Sequence, residues 1–284
     1  MAHCVVPEAE AILDKEFSVL DKGFVRLVDY LGGDERVVQA ARVSYGEGTK
    51  SYREDAGLID YLLRHQHTSP FEQVALTFHV KLPIFVARQW IRHRTARVNE
   101  VSGRYSVMKD DFYLPRDEDL ALQSDDNKQG RLDEALEAGQ AAIVRAGLAK
   151  GQEDAYRDYS ALIDQGIARE IARINLPLSL YTEWYWQIDL HNLFHFLELR
   201  LDAHAQKEIR LYAQVLLDIA QKVAPRCCES FERHIMGAVS FSRDEFAELK
   251  RRLAEGGNSN TADIILKGKM LERFEAKLET GRQL

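Results

Sequence analysis

Residues 73–94 read QVALTFHVKLPIFVARQWIRHR, and the fold turns on the change of period inside this string. Val74, Leu76, Phe78, Val80 and Leu82 recur at every second position, the signature of a strand with one buried face. Pro83 stands where a helix is expected to begin, because proline's missing N–H costs nothing at the first helical position. The spacing then predicts a helix over residues 83–94, with Ile84, Phe85, Ala87 and Ile91 available for burial. Outward from this unit, GFVRLVDYL (residues 23–31) alternates and reads as a strand. LSLYTEWYWQI (residues 178–188) is aromatic and β-branched enough to be another. Helices are expected at Glu35 to Val43 and at about Arg53 to Arg64, the latter with Leu58, Leu62 and Leu63 on one face. Residues 104–114 read as irregular. Residues 125–164 read as a long Ala-rich helix with a break near Gly147–Gly151. Beyond residue 190, helices run to the end, interrupted at Pro225 and at Gly256-Gly257-Asn258. The expected fold is α/β (α+β): a mixed, mainly antiparallel sheet with packed helices in one domain, residues 1–255, followed by a helical tail, residues 256–284.

The bulk properties narrow the function classes. With 284 residues, 45% of them hydrophobic and 29% charged, the chain can bury a sizeable core without disulfide or metal support. No run approaches the apolar length of a membrane span, and residues 1–7 lack a secretory pattern, so a cytoplasmic location and no membrane partner are expected. Cys4, Cys227 and Cys228 contain no CxxC pair and read as reduced thiols. A net charge of −7 argues against a polymeric nucleic-acid partner bound by blanket phosphate neutralisation.

The sign reverses locally. Arg88, Arg92, Arg94, Arg97 and Arg104 fall within one short stretch, opposed only by Glu100. Guanidinium forks grip phosphate through paired hydrogen bonds, which points to an anionic small-molecule ligand. If the helix ends near Thr95, then Arg92, His93 and Arg94 can surround one extended anion. Ser102-Gly103-Arg104 offers a hydroxyl, close backbone amides beside a Cβ-free residue and a guanidinium, a compact phosphate cradle. Glu100 is placed to orient the arginines or to accept hydrogen bonds from a ligand. The bland alternative for RHR alone is a basic helix end complementing the helix dipole.

Arg92-His93-Arg94 followed seven residues later by Ser102, inside QWIRHRTARVNEVSGRY (residues 89–105), resembles the signature of the flavin-dependent thymidylate synthases. The similarity extends over about residues 20 to 235, through HQHTSPFE (65–72), ARINLPLSLYT (172–182) and LHNLFHFLELRLDAHAQ (190–206). It implies FAD as cofactor, NADPH and 5,10-methylenetetrahydrofolate as co-substrates, dUMP as the methylated substrate, and a homotetramer with active sites shared between chains. It implies nucleotide contacts for Gln89, Trp90, Arg92, Glu100, Ser102, Gly103, Arg104, Arg173 and Arg200, with Arg173 reaching the nucleotide of another subunit. Arg200 is the implied catalytic residue, stabilising charge that develops on the uracil ring. Flavin contacts are implied for His67, Ser69, Arg92, His93, Arg94, Asn99 and Glu100. Asp189, His191, His195 and His204 are expected to lie near the flavin, with no particular hydrogen bond carried over. The tail is not explained by the resemblance.

Two other readings stay open on the residues alone. His191 and His195 have the i,i+4 spacing of a helical zinc pair, with His204 as a third ligand, which would make a metal-dependent hydrolase. Asn192 occupies the place where such a helix needs a glutamate, and no acidic cluster is nearby, so no metal is expected. A non-catalytic nucleotide-binding module would use Trp184, Tyr185 and Trp186 as stacking groups. No GxGxxG fingerprint suggests a separate dinucleotide domain. Ser102 could also be read as a nucleophile, but with no evident His-Asp partner it is assigned to phosphate.

Overall fold

The computed structural model describes residues 4–44, 52–125, 128–254 and 266–281. It divides into two compact units, Met1–Cys228 and Glu229–Leu284. The first begins with α1 (Pro7–Glu10), β1 (Glu16–Val19), β2 (Gly23–Leu31), α2 (Asp34–Ala41), α3 (Tyr52–Arg64), β3 (Ala75–Pro83), α4 (Ile84–Trp90) and β4 (Ala96–Glu100). There follow β5 (Ala121–Gln123), β6 (Arg131–Ala135), α5 (Ala138–Asp164), α6 (Arg169–Ala172), β7 (Tyr181–Asp189), α7 (Leu190–Arg200) and α8 (Lys207–Val223). Pro225 starts α9 (Pro225–Phe231), and the second unit carries α10 (Arg243–Ala254) and α11 (Lys269–Thr280). The break expected at Gly256-Gly257-Asn258 lies outside the described residues.

The main sheet has the order β1-β2-β3-β7-β4, with every pairing antiparallel. Alternation on β3 and β7 puts Leu76, Phe78, Val80 and Leu82 beside Trp184, Trp186 and Ile188, all buried. Trp90 of α4 closes on this face, its ring 5.7 Å from Trp184, 5.1 Å from Trp186 and 4.9 Å from Phe196 of α7. The opposite face is polar: His79 stacks on Tyr185 and hydrogen-bonds Arg26 and Glu183. A bulge between Leu27 and Asp29 shifts the alternation of β2, so Tyr30 rather than Asp29 turns inward. The Tyr30 hydroxyl then donates to Glu10 at 2.6 Å.

Several expectations are corrected. Pro83 is the last residue of β3 and the N-cap of α4, with ψ 146°, not its first helical residue. The amides of Ile84 and Phe85 bond the carbonyls of Leu180 and Leu178, at 2.9 and 3.0 Å, so the β7 approach satisfies the helix start. The helix ends at Trp90 rather than Arg94, and it buries Val86, Ala87 and Trp90, while Ile91 is exposed. The β5–β6 hairpin takes the first part of the stretch expected to be helical from residue 125. The helix that follows passes Gly147 and Gly151 unbroken. In a 27-residue helix, these two interior glycines are tolerated at about 1 kcal/mol each. β1 and β4 had no signal strong enough to be expected. Pro225 does end α8 as expected; Asp34 caps α9 by accepting from the Arg226 and Cys227 amides at 2.9 and 3.0 Å. Among the described residues no helix is long and apolar enough to cross a membrane, and all three cysteines are free thiols.

Candidate active site

The early end of α4 creates the first half of the site. Past Trp90 the chain tightens, with the His93 amide bonded to the Trp90 carbonyl at 3.0 Å. This brings the His93 ring against α7, 4.8 Å from Phe196 and 6.0 Å from His195. Arg200, the last residue of α7, donates from Nε to His93 Nε2 at 3.0 Å and from Nη2 to the Gln89 carbonyl at 3.3 Å. Burial, then the Arg200 charge and His195, push the His93 pKa from 6.5 down to about 4. His93 is therefore a neutral acceptor, with its remaining proton on Nδ1. Burial also lowers the pKa of Arg200, which has no carboxylate partner among the described residues. A half-buried guanidinium without a counter-ion is costly unless a ligand supplies the charge. Gln89 donates its side-chain amide to Gln206, a contact that no local pattern anticipates because Gln206 lies just before α8, over a hundred positions away.

With its pKa depressed, the His93 imidazole is expected to show no NMR titration between about pH 5 and 8. The sign is fixed: the neutral form is favoured on folding, so this contribution to stability is complete above 6.5 and is lost as pH falls toward 4. Titration of His93 with an ordinary midpoint would show that the ring is not buried beside Arg200 in solution.

The second half of the site lies beyond β4. Register with β7 sets Val98 opposite Trp186 and Glu100 opposite Trp184, while Arg97 and Asn99 face the polar side with Gln187 and Tyr185. The strand period therefore separates Arg97 and Asn99 from Glu100. At the strand's end Glu100 accepts from Thr182 Oγ1 at 2.7 Å. Ser102 Oγ accepts from the Arg104 amide at 3.3 Å, closing the Ser-Gly-Arg turn on itself. A Cβ at Gly103 would stand 2.7 Å from Met108 Sδ and 3.1 Å from Arg173 Nη1, so the Met108 and Arg173 side chains pack directly on this turn. Arg104 pairs with Glu170 at 3.0 Å, and Arg169 donates to the Tyr105 carbonyl at 2.8 Å. A small cavity of about 120 Å³ opens here, lined by Glu100, Gly103, Met108, Arg173 and Thr182 among others. Thr182 closes the ARINLPLSLYT stretch but had no role assigned to it, and Arg169 and Glu170 lie outside the motif stretches.

The other candidates are dispersed. Arg92 and Arg94 are exposed and unpaired among the described residues. His67 and Ser69 lie on an exposed loop, with the His67 ring 5.9 Å from Tyr61. Asp189 caps α7 by accepting from the Asn192 amide at 2.9 Å. His191 is half-buried on the first turn of α7. Trp90, expected at the nucleotide, is instead fully buried in the aromatic core, packed against Trp184, Trp186, Phe196 and Tyr212. The zinc reading has no support: His195 faces Glu198 at 3.7 Å, His204 pairs with Asp202 at 2.8 Å, and no metal-binding group forms among the described residues. Trp184 and Trp186 are buried as well, so they cannot stack on a nucleic acid.

Comparison with known proteins places this geometry. Residues 26–226 match the family model described as thymidylate synthase complementing protein, and residues 239–284 match the thymidylate synthase ThyX C-terminal domain. A flavin-dependent thymidylate synthase of Treponema denticola is 65% identical over 272 residues, covering 96% of this chain and all of the relative. That of Treponema pallidum is 62% identical over 283 residues, covering 100% of this chain and 91% of the relative. The crystal structure of the UMP/dUMP methylase PolB from Streptomyces cacaoi, bound with 5-Br UMP, superposes with a TM-score of 0.69 at 34% identity. That match covers 77% of this chain and 97% of the other. With these relatives spanning both of its units, the chain belongs to the flavin-dependent thymidylate synthase family.

Proposed function

We propose that this enzyme reductively methylates dUMP to dTMP, and the observation that carries the reading is Arg200. Its guanidinium has no carboxylate partner among the described residues, and it is oriented by a neutral histidine and a backbone carbonyl. A fixed, half-buried cation stabilises negative charge developing on a uracil ring. Ser102, Gly103, Arg104 and Arg173 hold the phosphate. Glu100 and Gln89 accept from and donate to the nucleoside.

The residues present fit FAD. Arg92 and Arg94 are exposed guanidiniums without ion pairs among the described residues, a donor set suited to a diphosphate. His93 and Asn99 with His67 and Ser69 flank it, and Asp189, His191, His195 and His204 belong to its surroundings. When bound, FAD supplies the hydride that completes the methyl group, with NADPH as reductant and 5,10-methylenetetrahydrofolate as carbon donor. The protein's own part is to bind, orient and polarise. Nucleotide substrates and free thiols suit a cytoplasmic enzyme.

The two halves of the site sit at opposite ends of β4. At a rise of roughly 3.3 Å per residue, the strand alone separates them by roughly 13 Å. Arg200 and the Ser102–Arg104 turn of one chain therefore serve different nucleotides more readily than one. This supports a homotetramer with shared sites, as do the exposed Ile171, Ile174 and Tyr105 beside the phosphate turn. Mixing inactive Arg200→Ala and Arg104→Ala chains after unfolding and refolding is expected to restore activity, because hybrid assemblies regain intact sites. Mixtures that stay inactive while assembling normally would reject the sharing.

The function itself is tested spectroscopically. The purified protein is expected to show oxidised-flavin absorbance that NADPH bleaches anaerobically, and to form dTMP when the folate and dUMP are added. A colourless protein that takes up no supplied FAD would sink the reading.

A further inference from the structure

We propose that Thr182 is a positioning residue that holds Glu100 for nucleotide recognition, a step that rests on the nucleotide reading of the Ser102–Arg104 turn. Thr182 is only 3% exposed and lies on β7, one alternation beyond Trp184. Glu100 is the last residue of β4 and pairs with Trp184, so Thr182 is its diagonal neighbour where the ladder stops. The Val101 amide, bonded to the Glu183 carbonyl at 2.9 Å, is the final rung. The chain then leaves the sheet, and the Glu100 side chain is held by the Thr182 hydroxyl at 2.7 Å.

A threonine hydroxyl has one proton to give. Donated to Glu100 Oε1, it selects one carboxylate orientation and leaves Oε2 without a partner among the described residues. Both residues line the small cavity beside Arg173 and Gly103. Phosphate is repelled by a carboxylate, so Oε2 serves an N–H or O–H donor elsewhere on the nucleotide, and the phosphate goes to the arginines. The pair thus sets the polarity of binding. Without the Thr182 hydroxyl, Glu100 is free to swing onto Arg173 or Arg104 and neutralise the cations that phosphate needs. A charge-assisted hydrogen bond would then be exchanged for a competing ion pair.

Thr182→Val removes the hydroxyl with little change of shape. Calorimetric titration of the FAD-loaded enzyme with dUMP is expected to show affinity weakened about tenfold, the lower end of the worth of a hydrogen bond to a charged group. KM for dUMP should rise in step while kcat changes little. FAD content and melting temperature should stay at wild-type values, and Thr182→Ser, which keeps the donor, should retain dUMP affinity. Adding Thr182→Val to Glu100→Ala should weaken binding no further. Wild-type dUMP affinity in Thr182→Val, with Glu100→Ala defective, would overturn the positioning role while leaving the nucleotide site intact. Wild-type affinity in both variants would overturn the assignment of this cavity to the nucleotide. Additive losses in the double variant would show that Thr182 does not act through Glu100.

Discussion

Arg200→Ala is expected to lower the rate of dUMP methylation by about 10²- to 10³-fold, the typical cost of removing one preorganised electrostatic donor. The size follows from the environment. The guanidinium is held at Nε by His93 and at Nη2 by the Gln89 carbonyl, so its remaining N–H groups are committed in direction before any ligand arrives. His93 can play this part only as an acceptor, which its depressed pKa secures throughout the physiological range. Arg200→Lys is expected to recover little. An ammonium is a point donor that cannot satisfy His93 and the carbonyl while also presenting a fork to the substrate. NADPH-driven bleaching of the flavin, followed without dUMP, separates this effect from general damage. It should proceed at close to the wild-type rate in both variants. Full methylation by Arg200→Ala would remove the residue from the chemistry.

The largest structural effect is expected from Trp90→Ala. Trp90 is fully buried among Trp184, Trp186, Phe196 and Tyr212, joining α4, α7 and α8 to one face of the sheet. Truncating a residue of this size costs about 3–5 kcal/mol, because the cavity left behind collapses only partly. For a domain of this length, each kcal/mol lowers the melting temperature by roughly 2–4 °C. Trp90→Phe should lose much less. The indole N–H has no hydrogen-bond partner among the described residues, so phenylalanine forfeits volume but no polar contact. The link to function is short: His93 follows Trp90 by three residues and shares the Phe196 contact. A loosened Trp90 therefore displaces the acceptor that holds Arg200. Thermal unfolding unchanged in Trp90→Ala would show that this aromatic cluster does not carry the core.

Three of the five strands in the main sheet were legible in sequence: β2 and β3 through a period of two, and β7 through its aromatic and β-branched content. β4 was not. Ala96–Glu100 is a sheet edge with mostly exposed residues, so burial left no alternating pattern in it. The β5–β6 hairpin was hidden for a similar reason, its short strands being mostly exposed and its surroundings helix-prone. Trp90 shows the reverse failure. Its place inside the motif suggested a ligand contact, while the helix phase turned it into the core.

What the sequence by itself determined is the chemistry: an arginine string with one glutamate, a Ser-Gly-Arg turn, and a second arginine at the end of an aromatic helix. Residue types decide which ligands can be held, and they survive any folding of the chain between them. Tertiary structure alone decided the grouping. Backbone bonds from Ile84 and Phe85 to the 178–180 segment anchor the start of α4, and the chain turns tightly after Trp90, which hands His93 to Arg200. Pairing with β7 then straightens residues 96–100 and carries Glu100 and the phosphate turn away to Thr182 and Arg173. These partners lie some 80 to 110 positions apart in the chain, beyond the reach of any local pattern, because long-range pairing is set by the packing of the whole sheet.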